Sequence, residues 1–192
     1  MIRVYHGSNE AIEKPLVGIG RPYLDFGTGF YVTNMIAQAE TWAGIKARLF
    51  NQPEGTVSLY DFDLDAAVAA YRFHKFEAYD REWLHFIVNN RDGGDDWKQY
   101  DVIEGGVAND RVIDTVENYR AGLIDEDTAL RLLSMHQPNR RSSEQRAEPR
   151  FELSRVATEV NEVNHQICIT RQEVVDRFLR FTDSYQVEAY VE

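Results

Sequence analysis

Cysteine is nearly absent from this 192-residue chain, which carries only Cys168. One thiol closes no internal disulfide and builds no cysteine-rich zinc site. His74, His85 and His136 are scattered, with no pair four residues apart around a glutamate, so no metal is expected. No Gly-Lys-Ser/Thr phosphate loop occurs. No apolar run is long enough to span a bilayer, and no membrane partner is expected. The N-terminus enters a strand-like segment at once, without the charged-then-apolar pattern of a signal peptide. A reducing cytoplasm is the simplest home for such a chain. Positive charge is also short: 21 Lys and Arg face 32 Asp and Glu, for a net charge of −11. That argues against a general nucleic-acid surface, because phosphate contacts are made largely by Lys and Arg.

What is present is an ordinary globular composition, 43% hydrophobic and 28% charged. The length suits a single domain over 1–192 with a real core. One window runs against the acidic balance. Arg140, Arg141, Arg146, Arg150 and Arg155 outnumber Glu144, Glu148 and Glu152, marking an Arg-rich insertion at about 137–163. It reads either as a solvated insertion or as a contact for substrate or partner.

Periodicity places the elements. Ile2 to Tyr5 reads as a strand ending at His6, and 8–28, with Pro15, Pro22 and its glycines, as a loop. Gly29 to Thr33 is a strand. Asn34 resembles the N-cap of a helix carrying Ile36, Ala39, Ala43, Ala47 and Phe50. Thr56 to Asp63 alternates as a strand, and Ala69 to Glu77 suggests another. Asp80 opens a helix with Trp83, Leu84, Ile87 and Val88 inside. Tyr100 to Gly105 is a strand. Asp110 and Asp125 cap two more helices, with Gly122 between them. Phe151 to Val163 has helical spacing. His165 to Thr170 is a strand, Arg171 to Phe181 a helix and Tyr185 to Val191 an edge strand. Strands and helices without strict βαβ alternation make the fold class α+β.

Two stretches carry chemistry. Val4-Tyr5-His6-Gly7-Ser8 delivers a His-Gly pair at a strand end. Asp25-Phe26-Gly27-Thr28-Gly29-Phe30-Tyr31-Val32-Thr33 delivers a tyrosine after a Gly-rich loop. Glycines let backbone approach a ligand closely. His6 offers a hydrogen-bonding ring and Tyr31 a flat face, a cradle suited to a planar amide such as nicotinamide. Structural roles compete with this: strand-end histidines often serve the core, Tyr31 and Trp42 could be core aromatics, and Gln166 a solvent-facing strand residue. Cys168, between Ile167 and Ile169, reads as buried rather than nucleophilic.

His-Gly-Ser, then Phe-Gly-x-Gly-Phe-Tyr-Val-Thr, then Ala39 and Trp42, resembles the NAD-binding half of diphtheria-toxin-like and poly(ADP-ribose)-polymerase-like ADP-ribosyltransferases. Over Ile2 to about Phe181 the chain is similar to a bacterial family of that superfamily, often encoded beside small partner proteins in a toxin–antitoxin-like arrangement. The resemblance implies a split β-sandwich core with surrounding helices, NAD as substrate and no metal. His6, Gly7, Ser8, Gly29, Tyr31 and Trp42 would bind NAD, with its nicotinamide between Tyr31 and Trp42. His6 would grip a ribose and Gly7 the carboxamide. The polymerases carry a carboxamide-binding serine where Ala39 stands, so one contact is missing. Their late-strand glutamate aligns with Gln166, giving a catalytic set of His6, Tyr31 and Gln166. A glutamine accepts a hydroxyl bond but lends no charge to a developing cation. Of the other carboxylates, Asp25, Asp110, Glu159 and Glu162, none stands out, and Asp25 reads as a loop-ordering residue. The resemblance therefore implies a mono-ADP-ribosyltransferase acting on a protein or nucleic-acid acceptor, with a possible cognate antitoxin as partner. A non-catalytic NAD or ADP-ribose-binding module and an NAD glycohydrolase are the alternatives.

Overall fold

The computed structural model describes residues 1–106, 110–136 and 165–189. The Arg-rich insertion expected at about 137–163, with Glu159, Glu162 and the helical spacing of 151–163, lies outside the described residues.

In chain order the elements are β1 (Ile2–Ser8), β2 (Phe30–Val32), α1 (Ile36–Leu49), β3 (Glu54–Phe62), α2 (Leu64–Ala70), β4 (Phe73–Lys75), α3 (Arg81–Arg91), β5 (Val102–Gly106), α4 (Asp110–Arg120), α5 (Glu126–Ser134), β6 (His165–Ile169), α6 (Gln172–Phe178) and β7 (Leu179–Glu188), with a short 3-10 turn at Asp96–Gln99. They build two sheets, β1-β3-β7 and β2-β6-β5-β4. All pairs are antiparallel except β4 with β5. Mixed helices and strands in this arrangement agree with the α+β class.

Alternation on the strands explains the layering. Val4, Tyr60 and Phe62 of the first sheet meet Phe30, Ile167 and Ile169 of the second in one apolar layer between the sheets. The other face of the second sheet, with Ile103 and Cys168, is covered by Trp83, Leu84, Ile87, Val112, Val116 and Leu133 from α3, α4 and α5. The other face of the first sheet is covered by α1 through Ala39 and Ala43 against Val57. Small residues form the centre of that last contact, with Tyr5, Leu59, Tyr185 and Val187 packed around it.

Three local expectations need correction. The stretch 69–77 is not one strand: α2 occupies Leu64–Ala70 and leaves three residues for β4. The Asp63 side chain accepts from the Ala66 N–H at 3.3 Å, and a cap before an alanine-rich run favours helix. Asn34 is not the cap of α1. The cap position is Met35, without a side-chain bond, and the Thr33 hydroxyl accepts from the Met35 N–H at 3.0 Å. Finally, α6 ends at Phe178 and β7 begins at Leu179, opposite Phe62. Pairing along β3 recruits residues 180–184, polar except for Phe181, which show no alternation of their own. By contrast, Asp80 and Asp125 cap their helices through the Trp83 and Thr128 N–H groups, and Gly122 follows α4 with φ +71°.

Candidate functional site

The two sheets touch edge to edge at one rung. The Tyr5 N–H donates to the Thr33 carbonyl at 2.7 Å, and the Thr33 N–H to the Tyr5 carbonyl at 2.9 Å. An antiparallel ladder would next pair Gly7 with Tyr31. That rung is absent. The His6 imidazole occupies its place, with Nδ1 2.7 Å from the Tyr31 carbonyl oxygen and its ring 4.6 Å from Phe30. His6 thus wedges the sheets apart just beyond their single bridge.

The wedge leaves backbone groups facing the gap. Tyr5 turns its N–H and C=O toward β2, so in an extended strand Gly7, two residues on, turns its own the same way. Gly7 therefore presents one donor and one acceptor side by side at the mouth. The carbonyl of Tyr31 only accepts, so His6 Nδ1 carries the hydrogen. Burial, opposed by the Tyr31 hydrogen bond and reinforced by the Lys46 charge, holds the imidazole pKa below its ordinary value of 6.5. A neutral ring protonated at Nδ1 keeps a bare lone pair on Nε2. His6 Nε2 is therefore a hydrogen-bond acceptor.

A pH dependence follows from that lowered pKa. Below about 6.5 the unfolded chain takes up a proton that native His6 resists, so stability falls as the medium is acidified through this range. Above it, both states are neutral and His6 contributes no slope. Denaturant titrations from pH 5 to 8 should show this slope, and His6→Gln should reduce it.

Gly7 is fixed from its other face. A Cβ there would run into the Ala39 carbonyl and stand 2.7 Å from the Ala43 nitrogen. The same holds at Gly55 of β3, where a Cβ would strike the Ala43 carbonyl. These two glycines let α1 settle on the sheet. Ala39, buried to 1% exposure, is part of that contact.

Tyr31 lies on β2 opposite Cys168. Its hydroxyl donates to the Gly27 carbonyl at 2.6 Å and accepts from the Phe26 N–H at 3.2 Å. Burial, and then the neighbouring Cys168, push the phenol pKa far up. The hydroxyl is committed to the Gly-rich loop, and the ring packs against the cluster of Phe26 and Cys168. Gly29 answers a packing need: a side chain there would collide with Cys168 Sγ and stand 2.7 Å from the Ile169 carbonyl. The Ser8 hydroxyl donates to Asn9 Oδ1 at 3.3 Å. Trp42 stands on α1 at 42% exposure, and among the described residues no ring contact joins it to Tyr31. Gln166 pairs with Gly105 and shares the Cys168 face of β6, with no hydrogen bond to its amide among the described residues. Cys168 is buried, and burial lifts its thiol to about 12, against a nucleophilic role.

Asp25 orders the loop. Arg91 binds its carboxylate at 2.7 Å and Glu117 at 2.6 Å, while Asn90 donates to the Asp25 carbonyl at 2.9 Å. Lys46 of α1 lies near enough to His6 to act on it, and Arg21 near enough to Lys46.

Sequence reasoning missed two residues. Gln38, on α1 and 9% exposed, accepts through Oε1 from the His165 N–H at 3.0 Å and from the Thr33 hydroxyl at 3.3 Å. It ties the start of β6 to the residue bridged to Tyr5. Glu104 on β5 meets His165 Nε2 at 3.1 Å and Lys75 Nζ at 3.4 Å. Burial would raise the Glu104 pKa, but the His165 and Lys75 contacts outweigh it and hold the carboxyl below the usual range. A lone carboxylate in the run Val102-Ile103-Glu104 was the available signal. An open cavity of about 470 Å³ lies elsewhere, at the far end of β6, among Arg72, Trp97, Tyr100, Asp101 and Arg171. Its wall is tied by an Arg72–Asp101 ion pair at 2.8 Å, and none of His6, Gly7, Tyr31 or Gln166 lines it.

Residues 2–146 match a family described as a protein of unknown function (DUF3990), and the chain belongs to that family. No curated protein and no solved structure matches it. Among the described residues, no helix is long and apolar enough to cross a membrane.

Proposed function

We propose that this chain is an NAD-dependent mono-ADP-ribosyltransferase, built on the split sandwich of that superfamily, and that the gap beyond the Tyr5–Thr33 bridge is its NAD site. The observation that carries this reading is the Gly7 edge beside His6. A primary carboxamide has an acceptor oxygen next to N–H donors, the complement of the Gly7 N–H and C=O. His6 Nε2 accepts from a ribose hydroxyl. The Tyr31 ring walls the nicotinamide, and Trp42 on α1 serves as the second face. Lys46 and Arg21 offer charge for the diphosphate. Gln166 accepts a ribose hydroxyl but adds no negative charge. Breaking the glycosidic bond releases nicotinamide and opens the anomeric carbon to a protein or nucleic-acid nucleophile. In a toxin–antitoxin pair, an acidic chain of this kind suits a basic cognate partner.

Purified protein incubated with NAD should release free nicotinamide, and His6→Ala and Gln166→Ala should abolish the release. The neutrality of Gln166 favours a second reading, a non-catalytic NAD-binding module. NAD that protects the fold thermally without nicotinamide release, even with cell extract as acceptor, would establish that module instead. Release that yields only free ADP-ribose would make the protein an NAD glycohydrolase.

A further inference from the structure

We propose that the open cavity at the far end of β6 is a second ligand site, which takes a nucleoside monophosphate with its base against Trp97 and Tyr100 and its phosphate on Lys98 and Arg171. The site is separate from the gap at Gly7, since none of His6, Gly7, Tyr31 or Gln166 lines it. Its volume of about 470 Å³ falls among small-molecule sites, which span about 300–1,000 Å³. Nothing in it depends on NAD cleavage at the gap.

Separate parts of the chain meet at this cavity, and their own hydrogen bonds hold them there. Ahead of β4, the Arg72 N–H and Nε each donate to Asp101 Oδ2 at 3.0 Å, and Nη2 donates to Oδ1 at 2.8 Å. The Asp101 N–H returns a bond to the Arg72 carbonyl at 2.7 Å. After β6, the Thr170 hydroxyl donates to the Tyr100 carbonyl at 2.6 Å, and its N–H to the Asp101 carbonyl at 3.0 Å. Gln172 accepts from the Val17 N–H at 2.8 Å and donates to the Pro15 carbonyl at 3.1 Å, which ties in the loop before β2. Walls fixed before a ligand arrives cost little ordering when it binds.

The cavity combines rings with unspent donors. Trp97 is held by Gly27, where a Cβ would run into the indole. Tyr100 is backed by His74, with ring centroids 4.7 Å apart. Both rings are half-buried and both line the cavity. Among the described residues, neither the indole N–H nor the Tyr100 hydroxyl has a hydrogen-bond partner. Bases stack on such rings through their π faces, whichever base it is.

The charge balance selects an anion. Arg72, Lys98 and Arg171 line the cavity against Asp101 and Glu173, in a chain whose net charge is −11. Asp101 is buried and neutralised by Arg72. Lys98 and Arg171 are exposed. Lys98 Nζ has only Asp95, at 3.4 Å, and lies 5.7 Å from the Trp97 ring centroid, so one small ligand can meet both charge and ring. Arg171 bonds Glu173 through Nε at 3.0 Å and has Asp101 3.7 Å from Nη1; among the described residues its Nη2 has no partner. A phosphate monoester carries nearly two negative charges at neutral pH and three acceptor oxygens, which suits two cations better than one carboxylate does.

The test is calorimetric titration of the full chain with adenosine monophosphate, adenosine, inorganic phosphate and phenyl phosphate. Adenosine monophosphate should bind at least about 10-fold more tightly than any of the other three, because only it meets rings and cations with a whole base. Trp97→Ala, Lys98→Ala and Arg171→Gln should each weaken it about 10-fold. Lys98 is exposed, so Lys98→Ala keeps the test open if Trp97→Ala does not fold. No binding of adenosine monophosphate at millimolar concentration would overturn the proposal. So would binding that Lys98→Ala and Arg171→Gln leave unchanged while His6→Ala weakens it, which would put the nucleotide in the gap. Phenyl phosphate bound as tightly as adenosine monophosphate would overturn the choice of a nucleotide. An RNA trinucleotide with a terminal phosphate separates the two sources of this chemistry: tighter binding with the same response to the variants makes the ligand a strand end, and weaker binding makes it the free nucleotide. Nicotinamide release plays no part in this readout, so the cavity and the NAD site fail separately.

Discussion

Gly7→Ala should cost this protein its α1 packing and with it the site. The added carbon meets backbone on two sides, the Ala39 carbonyl and the Ala43 nitrogen at 2.7 Å. Neither is the end of a flexible side chain that could swing away. Relief requires α1 to lift from β1 and β3, yet Gly55 holds the same helix down through the Ala43 carbonyl. Overpacking of a well-filled interior costs about 1–3 kcal/mol, and more where backbone must move. We expect the upper end, about 3 kcal/mol, read as a lower denaturant midpoint at unchanged slope. A lifted α1 also displaces Gln38 from His165 and Thr33, and Lys46 from His6. NAD binding should fall with stability. A variant of wild-type stability would mean that α1 does not rest on Gly7.

Arg91→Ala is the second large effect. Arg91 and Asp25 are 13% and 10% exposed at their side chains, and their ion pair anchors the loop that holds the Tyr31 hydroxyl. Removing the guanidinium strands the Asp25 carboxylate in a buried place and leaves Glu117 with Arg120 alone. Breaking a buried pair by deleting one partner costs about 3–5 kcal/mol, chiefly through the charge left behind. Asp25→Asn in the Arg91→Ala background should recover part of the loss, because it removes the stranded charge. A double variant no more stable than Arg91→Ala would show that the pair is not what holds the loop.

Much of the site was legible because it is local in sequence. His6-Gly7 and the run Gly27 to Tyr31 sit on short strands whose ends can be read from glycine and alternation, and the structure sets the His6 imidazole against the Tyr31 backbone carbonyl, while the Tyr31 ring turns to the Cys168 side of β2. The opening itself was not legible. It depends on the Tyr5–Thr33 rung and on an imidazole replacing the next one, a relation between strands that no single-strand pattern encodes. Gly7 and Gly29 looked like ligand-facing glycines; their side-chain positions are filled by α1 and by Cys168. The Glu104–His165 contact was hidden by distance, since the two residues lie 61 positions apart in sequence. The α2 and β7 boundaries were misplaced for a similar reason, since pairing with β3 overrides local alternation in 180–184.

The central claim is that the Gly7 backbone edge takes a carboxamide. Protein labelled with ¹⁵N-glycine gives at most twelve backbone signals, one of them Gly7, identified by sequential labelling. Titration with nicotinamide should move the Gly7 amide downfield as its N–H donates to the ligand oxygen, with Gly18 and Gly122, where an added Cβ would meet only open space, unmoved. Nicotinic acid, which lacks the amide donor, should bind more weakly at the same place. Saturation by nicotinamide with the Gly7 signal unmoved would contradict the account.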